Sequence, residues 1–421
     1  MSYTSTLLPY DAVRITFNVR TELRMTDPVD GPCLERAVAT AMTRYPYLCR
    51  RLVLEDGAYR FVANDRPIAV QPFTGTPGAL NTPAVNEQLI SVDYHDNVIA
   101  VNACHMLAGG YGQFELIRTI VYYYVAERYG VTPQVPGIRL AGESIPDDER
   151  AFPTMETLPA AEPPRGEAPA DGAFPDADYE LLAREPERFF DCYYQMEFDQ
   201  APFMAKAKAV NGTPSSLFSA LMFRALHRAW PDRTLPIQVA VMHNFQNQVG
   251  CPDSTCDLVR GLLLRYPDSM ADASLRELCT FSRSVIAQQA GAENAIADTR
   301  AALERLAEVE KRKTLREKLD YCAAHPFIGA KVKSSCVVAY TGRTEWGDLR
   351  RYILSDAALT DGHPLLEILS LGDKLFVGFQ QILRDTKYID ALCRALEEEE
   401  IPYKVSGPFP KTVPGLYLPR E

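Results

Sequence analysis

The chain has 421 residues, a formal net charge of −11, and 47% hydrophobic and 24% charged residues. That length exceeds what one hydrophobic core serves, so two bodies are expected, with the composition of an ordinary globular protein. The basic residues form no dense run, which argues against a nucleic-acid partner, and no apolar stretch approaches the roughly 20 residues that span a bilayer.

The opening residues, MSYTSTLLPYDAVRITFNV, lack the basic and then apolar pattern of a secretion signal, so a cytoplasmic location is expected. Ala12–Val19 alternates as a strand. Asp30 and Pro32 then signal a helix start. Leu34, Val38, Ala41, Met42 and Tyr45 form its apolar face, and Pro46 stops it. Leu52–Leu54 and Tyr59–Val62 flank Glu55-Asp56-Gly57, a hairpin turn by composition. A second turn, His95-Asp96-Asn97, joins a strand near Ser91–Tyr94 to Val98–His105. Along that last strand Ile99, Val101, Ala103 and His105 should share one face. Gly109 and Gly110 follow, and then an amphipathic helix with Phe114, Ile117, Val121, Tyr124 and Val125 on its apolar side. A histidine is thus delivered to a strand-to-helix junction, where it is either a satisfied structural residue or a reactive one.

Ten of the 31 prolines fall between Pro133 and Pro186, among acidic and small residues (EAPADGAFPDAD), and such a run suits neither a packed helix nor a central strand. It reads as a crossover (136–186) between an N-terminal body (1–135) and a C-terminal one (187–421), with a flexible linker as the alternative. The second half repeats the ingredients of the first. A strand near Phe189–Phe198 precedes Thr213-Pro214-Ser215, which caps a helix running to about Trp230, with Leu217, Leu221, Ala225 and Leu226 inward. Ile237–Met242 is a strand, and Leu275–Gln289 and Ala292–Cys322 read as two helices. Leu303, Leu306, Val309 and Leu319 are the inner positions of the second. Cys336–Tyr340 is a strand ending in Thr341-Gly342. Leu366–Ser370 and Leu375–Gln380 form a hairpin over Gly372-Asp373, and a helix over Tyr388–Glu399 precedes Ile401–Val405.

The ten cysteines include no C-x-x-C pair, and Cys251 and Cys256 lack a second pair or nearby histidines. Free buried thiols are expected rather than zinc ligands or disulfides. No metal cluster, Walker loop, G-x-G-x-x-G or G-x-S-x-G occurs, which removes the common nucleotide, dinucleotide and hydrolase readings. Among the other histidines, His227 sits on a helix, His95 in a turn, and His325 and His363 each precede a proline.

The order of elements resembles the condensation-domain superfamily, which includes chloramphenicol acetyltransferase, non-ribosomal peptide condensation domains and bacterial alcohol acyltransferases. The superfamily signature, H-x-x-x-D-G, is often preceded by another histidine. Here it reads His105-Met106-Leu107-Ala108-Gly109-Gly110, with Gly109 in place of the aspartate and Cys104 in place of the first histidine. LERAVATAMTRYPYLCRRLV is similar to the family's first helix, NGTPSSLFSALMFRALHRAW to the helix opening the second half, and LFVGFQQILRDTKYIDALCRALEEEEI to the closing strand and helix. The resemblance implies an α/β (α+β) fold of two acetyltransferase-like subdomains, each a mixed sheet with helices, and a tunnel between them. It implies an acyltransferase moving an acyl group from a coenzyme A thioester, or from a phosphopantetheine carrier protein, to a small hydroxyl or amine acceptor, without a metal.

Carried over by position, His105 is the general base, a task for which a neutral imidazole suits and which supplies about 10²–10⁴-fold. The family's aspartate holds the loop through an arginine, which Gly109 cannot do. Either backbone hydrogen bonds keep the loop's shape and a carbonyl holds the ring's tautomer, or the site has relaxed. An oxyanion stabiliser should accompany the base. Thr341 is the candidate, beside Tyr340 and Gly342 where family members bring a polar strand end to the tunnel; an ordinary strand-to-turn cap is the alternative. His243 and Asn244 stand where relatives carry a polar Asn/Arg segment, so a substrate-lining role is expected, although the usual arginine is missing. Two other functions stay open at this point. One is an inactive relative whose tunnel binds an acyl ligand or a partner protein, and the other is a structural or assembly protein.

Overall fold

Turn and cap chemistry sets many of the element boundaries in the computed structural model, which describes residues 5, 7–13, 18–160, 170–174, 176–327, 333–361 and 364–420. The Asp30 side chain accepts from the Cys33 amide at 3.0 Å and opens helix α1 (Gly31–Met42), with Pro32 in its first turn. Cys33, Leu34, Ala37, Val38 and Ala41 form its buried face. Strands β2 (Arg50–Glu55) and β3 (Ala58–Ala63) pair across Asp56 and Gly57, which both have positive φ, as a two-residue hairpin needs.

The first sheet runs β11-β1-β6-β5-β4, made of β1 (Asn18–Met25), β4 (Ala69–Pro72), β5 (Ile90–His95), β6 (Val98–Cys104) and β11 (Ile353–Thr360). The expected strand over 12–19 is shifted. Ala12 and Val13 lie in a turn, 14–17 fall outside the described residues, and pairing begins at Asn18. Buried Arg20 and Thr21 disguise β1 as polar. Arg20 is 0% exposed, and Asp93 takes its guanidinium in a two-pronged ion pair at 2.6 and 2.8 Å. β6 is buried along its whole length at the sheet's centre. Helix α2 (Gly110–Tyr129) follows it and packs on α1; the five predicted apolar positions are buried, and so are Gln113, Glu115, Arg118 and Thr119.

The second sheet runs β14-β7-β13-β12-β10-β8-β9. Its strands are β7 (Phe189–Asp199), β8 (Gln238–Asn244), β9 (Val259–Arg265), β10 (Cys336–Arg343), β12 (Leu365–Leu371), β13 (Lys374–Leu383) and β14 (Lys404–Pro410). β10 is parallel to both β8 and β12, and the other pairs are antiparallel. Short helices α3 (Asp176–Arg184) and α4 (Gln200–Ala209) flank β7. Helix α5 (Pro214–Ala229), capped by Thr213 and Ser216, packs against α6 (Leu275–Gln289) and α9 (Lys387–Glu398).

Two sequence expectations change here, and one strand absent from the sequence reading crosses between the halves. Ala292–Cys322 is two helices, α7 (Ala292–Glu310) and α8 (Leu315–Ala324), because Thr314 and Glu317 form a reciprocal capping box that starts a new helix. The crossover contains α3 just after Pro175, although part of EAPADGAFPDAD lies outside the described residues. Its earlier stretch is pinned rather than loose: Arg118 donates to the Pro136 carbonyl at 2.5 Å, and buried Glu149 pairs with buried Arg44. Finally, β11 comes from the second half yet pairs with β1 from Val19↔Thr360 to Met25↔Ile353, so it completes the first sheet.

The buried apolar residues form two main cores, one under each sheet. α7 bridges them, with Ala295 in the second core and Leu303, Leu306 and Val309 in the first. Arg305 of α7 also grips Asp11 with two hydrogen bonds, at 2.9 and 2.6 Å. Eight of the ten cysteines are buried and all ten are free thiols. No helix among the described residues is long and apolar enough to cross a membrane.

Candidate active site

β6 ends at Cys104, whose amide donates to the Leu89 carbonyl at 2.9 Å, and His105 is the next residue. The turn after it closes through its own backbone: Leu107 N–H donates to Cys104 at 2.9 Å, and Gln113 N–H donates to Gly109 at 3.0 Å. The Gln113 side chain adds a bond to the Ala108 carbonyl at 2.8 Å. Cys104, Met106, Leu107 and Ala108 are buried, but 28% of the His105 side chain is exposed, so the ring alone opens to solvent. Its Nδ1 is turned inward, buried and without a hydrogen-bond partner among the described residues. No carbonyl holds that nitrogen, contrary to the simplest expectation.

A segment between β8 and β9 lies against this turn. Gly109 N–H donates to the Thr255 carbonyl at 3.0 Å, and a Cβ at Gly109 would stand 3.0 Å from both Asp257 Cα and the Cys256 oxygen. At Gly112 it would come within 2.5 Å of the Thr255 oxygen, so that glycine permits the close approach. The segment is fastened to the crossover as well: Thr255 N–H donates to Glu149 at 2.8 Å and Ser254 Oγ to Ala151 at 2.6 Å. As a result the Asp257 carboxylate sits with Oδ1 3.8 Å from His105 Nδ1. Only 4% of that side chain is exposed. Ser5 Oγ donates to Oδ2 at 3.1 Å, and the Val259 amide to Oδ1 at 3.3 Å.

The other predicted residues occupy the second sheet. β8 and β10 are parallel neighbours, so His243-Asn244 and Tyr340-Thr341-Gly342 lie at the same end of that sheet, the end from which the Asp257 loop leaves. His243 is half-buried, its ring edge-on to Phe245, and burial pushes its pKa down. Asn244 is exposed and folds onto Gln246 through two hydrogen bonds, at 2.7 and 3.0 Å. Thr341 is exposed, and its hydroxyl donates to the Ile368 carbonyl at 3.4 Å. Burial pushes the half-buried Tyr340 phenol up. Gly342 has φ of +84°, and Gly110 faces open space. The structure therefore gathers His105, Gly109 and Gly110 with Asp257, while Tyr340, Thr341, Gly342, His243 and Asn244 share no hydrogen bond, ion pair or ring contact with His105. The His227 ring meets Phe223 and the His325 ring stacks on Tyr321, and neither shares a contact with His105. His363 lies outside the described residues.

Several ionisable groups escaped sequence reasoning. Arg260 faces His243 across the β8–β9 pairing; burial pushes its pKa down, Asp257 and Asp298 oppose that, and its Nη2 is buried without a partner. Glu367 alternates with Leu366 and Ile368 of the second core, so it shares the opposite strand face with Leu369 and Leu371, which join the first core. Burial pushes its carboxyl up to about 8. Neither lies in a recognisable motif, so no local sequence signal marks them. Two clefts of about 450 and 310 Å³ lie on the C-terminal body, one beside Asn211 and Arg283 and the other beside Arg224 and Asp272; neither includes His105. Among the described residues no group of three or more His, Cys, Asp or Glu side chains could hold a metal ion.

No known family's sequence pattern and no curated protein matches the chain. Solved structures do. TRI101 of F. graminearum, complexed with coenzyme A and deoxynivalenol, is 11% identical over 95% of this chain and 98% of its own, with a TM-score of 0.60. Polyketide synthase associated protein 5 from Mycobacterium tuberculosis is 15% identical over 94% and 97%, with a TM-score of 0.53. The first condensation domain of the CDA synthetase is 12% identical over 92% and 91%, with a TM-score of 0.51. At such identities the likeness speaks for the fold, which is the condensation-domain and acetyltransferase-like one expected from the sequence.

Proposed function

We propose that this chain is an acyltransferase that takes an acyl group from a coenzyme A or carrier-protein thioester and gives it to a small hydroxyl or amine acceptor, with His105 as general base. The observation that carries this reading is the half-open ring: a histidine at a strand end, exposed on one side only, with Nδ1 turned to a buried carboxylate. Such a ring leaves Nε2 as the nitrogen available to solvent and substrate. In the reaction, Nε2 takes the acceptor's proton as its oxygen or nitrogen bonds to the thioester carbon. The tetrahedral oxyanion then collapses, the C–S bond breaks, and the departing thiolate recovers the proton from Nε2.

The fold supports this reading, since TRI101 was crystallised with coenzyme A and a starter condensation domain with an acyl-coenzyme A. The tunnel between the two bodies, Thr341 as oxyanion donor, and His243, Asn244, Tyr340, Gly109, Gly110 and Gly342 as lining residues belong to the proposal. The absent motif aspartate motivates a second reading, an inactive relative that binds an acyl ligand or a partner protein. Thioester consumption with a panel of acyl-coenzyme A donors and alcohol or amine acceptors separates the two. His105→Ala should lower turnover by at least about 10²-fold. Unchanged turnover in His105→Ala, or a parent protein inert with every donor, favours the binding reading.

A further inference from the structure

The stretch that His105 opens carries no acid at position 109, and the fold brings a carboxylate to the ring from about 150 residues further along the chain. We propose that Asp257 is the positioning residue for His105, fixing the ring in the Nδ1–H tautomer so that the Nε2 lone pair faces the accessible side. Its consequence for turnover rests on the acyltransferase reading; the contact and the tautomer do not.

Nδ1 is buried, so water cannot satisfy it, and it has no hydrogen-bond partner among the described residues. The charged group facing it is Asp257, 3.8 Å away. An ionised carboxylate only accepts hydrogen bonds. Nδ1 must therefore carry the proton, because a lone pair there would point at a negative oxygen. Hydrogen bonds around a catalytic imidazole are often long before substrate arrives and tighten in the complex. The carboxylate is preset for that, held by Ser5 Oγ on one oxygen and the Val259 amide on the other. When the ring becomes cationic during acyl transfer, the same carboxylate faces the new charge, as the orienting acid of a catalytic triad does.

Glycine at position 109 makes room for the segment that carries Asp257. The volume that a side chain would fill there is taken by the backbone of Cys256 and Asp257, and the Gly109 amide bonds to Thr255 at 3.0 Å. The missing side chain thus admits the very segment that carries this carboxylate. The loop-holding role falls to this backbone contact, and a carboxylate reaches the ring directly.

The test pairs kinetics with ring spectroscopy. In protein labelled with ¹⁵N-histidine, long-range ¹H–¹⁵N spectra report which ring nitrogen is protonated, and His105→Ala identifies the signal. The parent should show His105 as Nδ1–H. In Asp257→Asn, whose amide can donate to Nδ1, the proton should move to Nε2, and kcat should fall about 10- to 10³-fold. KM should change by less than about 3-fold, since substrate contacts are untouched. Ser5→Ala, which frees one carboxylate oxygen, should lower kcat by about 2- to 10-fold and serves if Asp257→Asn does not melt cooperatively. An Nε2–H ring in the parent, a tautomer unmoved in Asp257→Asn, or unchanged kcat in an active protein overturns the proposal. If no donor supports turnover, the acyltransferase reading fails, and the spectra alone decide the role of Asp257.

Discussion

Placing the aspartate of the H-x-x-x-D-G signature at position 109, by Gly109→Asp, should damage this protein instead of improving it. Gly109 has φ −69° and ψ 171°, an extended conformation open to any residue, so the backbone itself raises no objection. Replacing a glycine there would even gain about 0.4–1 kcal/mol by restricting the unfolded chain. Packing outweighs that gain. The new Cβ would stand 3.0 Å from Asp257 Cα and the Cys256 oxygen, backbone atoms held by the bonds of Thr255 and Ser254 to the crossover. Overpacking of this kind costs about 1–3 kcal/mol. The added carboxylate would also stand near that of Asp257, and two like charges about 5 Å apart repel by about 3 kcal/mol at an effective dielectric of 20. Gly109→Ala should therefore destabilise by about 0–2 kcal/mol and Gly109→Asp by about 3–5 kcal/mol near pH 8, much of a typical folding free energy. Urea unfolding of both variants at pH 8 and pH 4 reads the two terms separately, because acid removes the repulsion and leaves the overlap. A Gly109→Asp protein as stable as its parent, or one with higher turnover, would refute the reasoning. The 254–257 segment could not then occupy that space.

Other perturbations probe the frame around the site. Arg20→Ala leaves Asp93 buried without its cation and should cost about 3–5 kcal/mol in urea unfolding, whereas Arg20→Ala combined with Asp93→Ala should recover part of that loss. Asp356 is 2% exposed, both its carboxyl oxygens lack partners, and burial pushes its pKa from 3.8 to about 7. A carboxyl raised in this way adds stability that is complete below about pH 4 and is lost as pH rises through 7. Asp356→Asn should match the parent at pH 4 and exceed it at pH 8, by at most about 4 kcal/mol, so an unaltered stability-versus-pH slope would contradict this account. Thr314→Ala removes the side-chain bond that opens α8 and should lower stability by about 1 kcal/mol, read as a fall in thermal midpoint.

Much of this architecture follows from neighbours in sequence. Asp30 and Pro32 start α1, Asp56-Gly57 turns the first hairpin, Gly372-Asp373 turns the last, and Thr213-Pro214 opens α5, because each feature depends on a few adjacent residues. The Thr314–Glu317 capping box was equally local, and its sequence pattern was legible though overridden by the apolar spacing around it. His105 was legible for the same reason: an apolar strand, one imidazole and two glycines lie in a single stretch.

What the sequence determined alone was therefore most of the elements, their caps and turns, and the histidine presented at the junction of β6 and α2. Tertiary structure decided the rest. β11 leaves its own half to pair with β1, and Asp257 comes to rest beside His105 across the junction of the two bodies. Neither leaves a local trace, because pairing across hundreds of residues depends on which surfaces meet after collapse. A carboxylate's role is likewise set by the buried nitrogen it faces, and residues 256 and 258 say nothing about that.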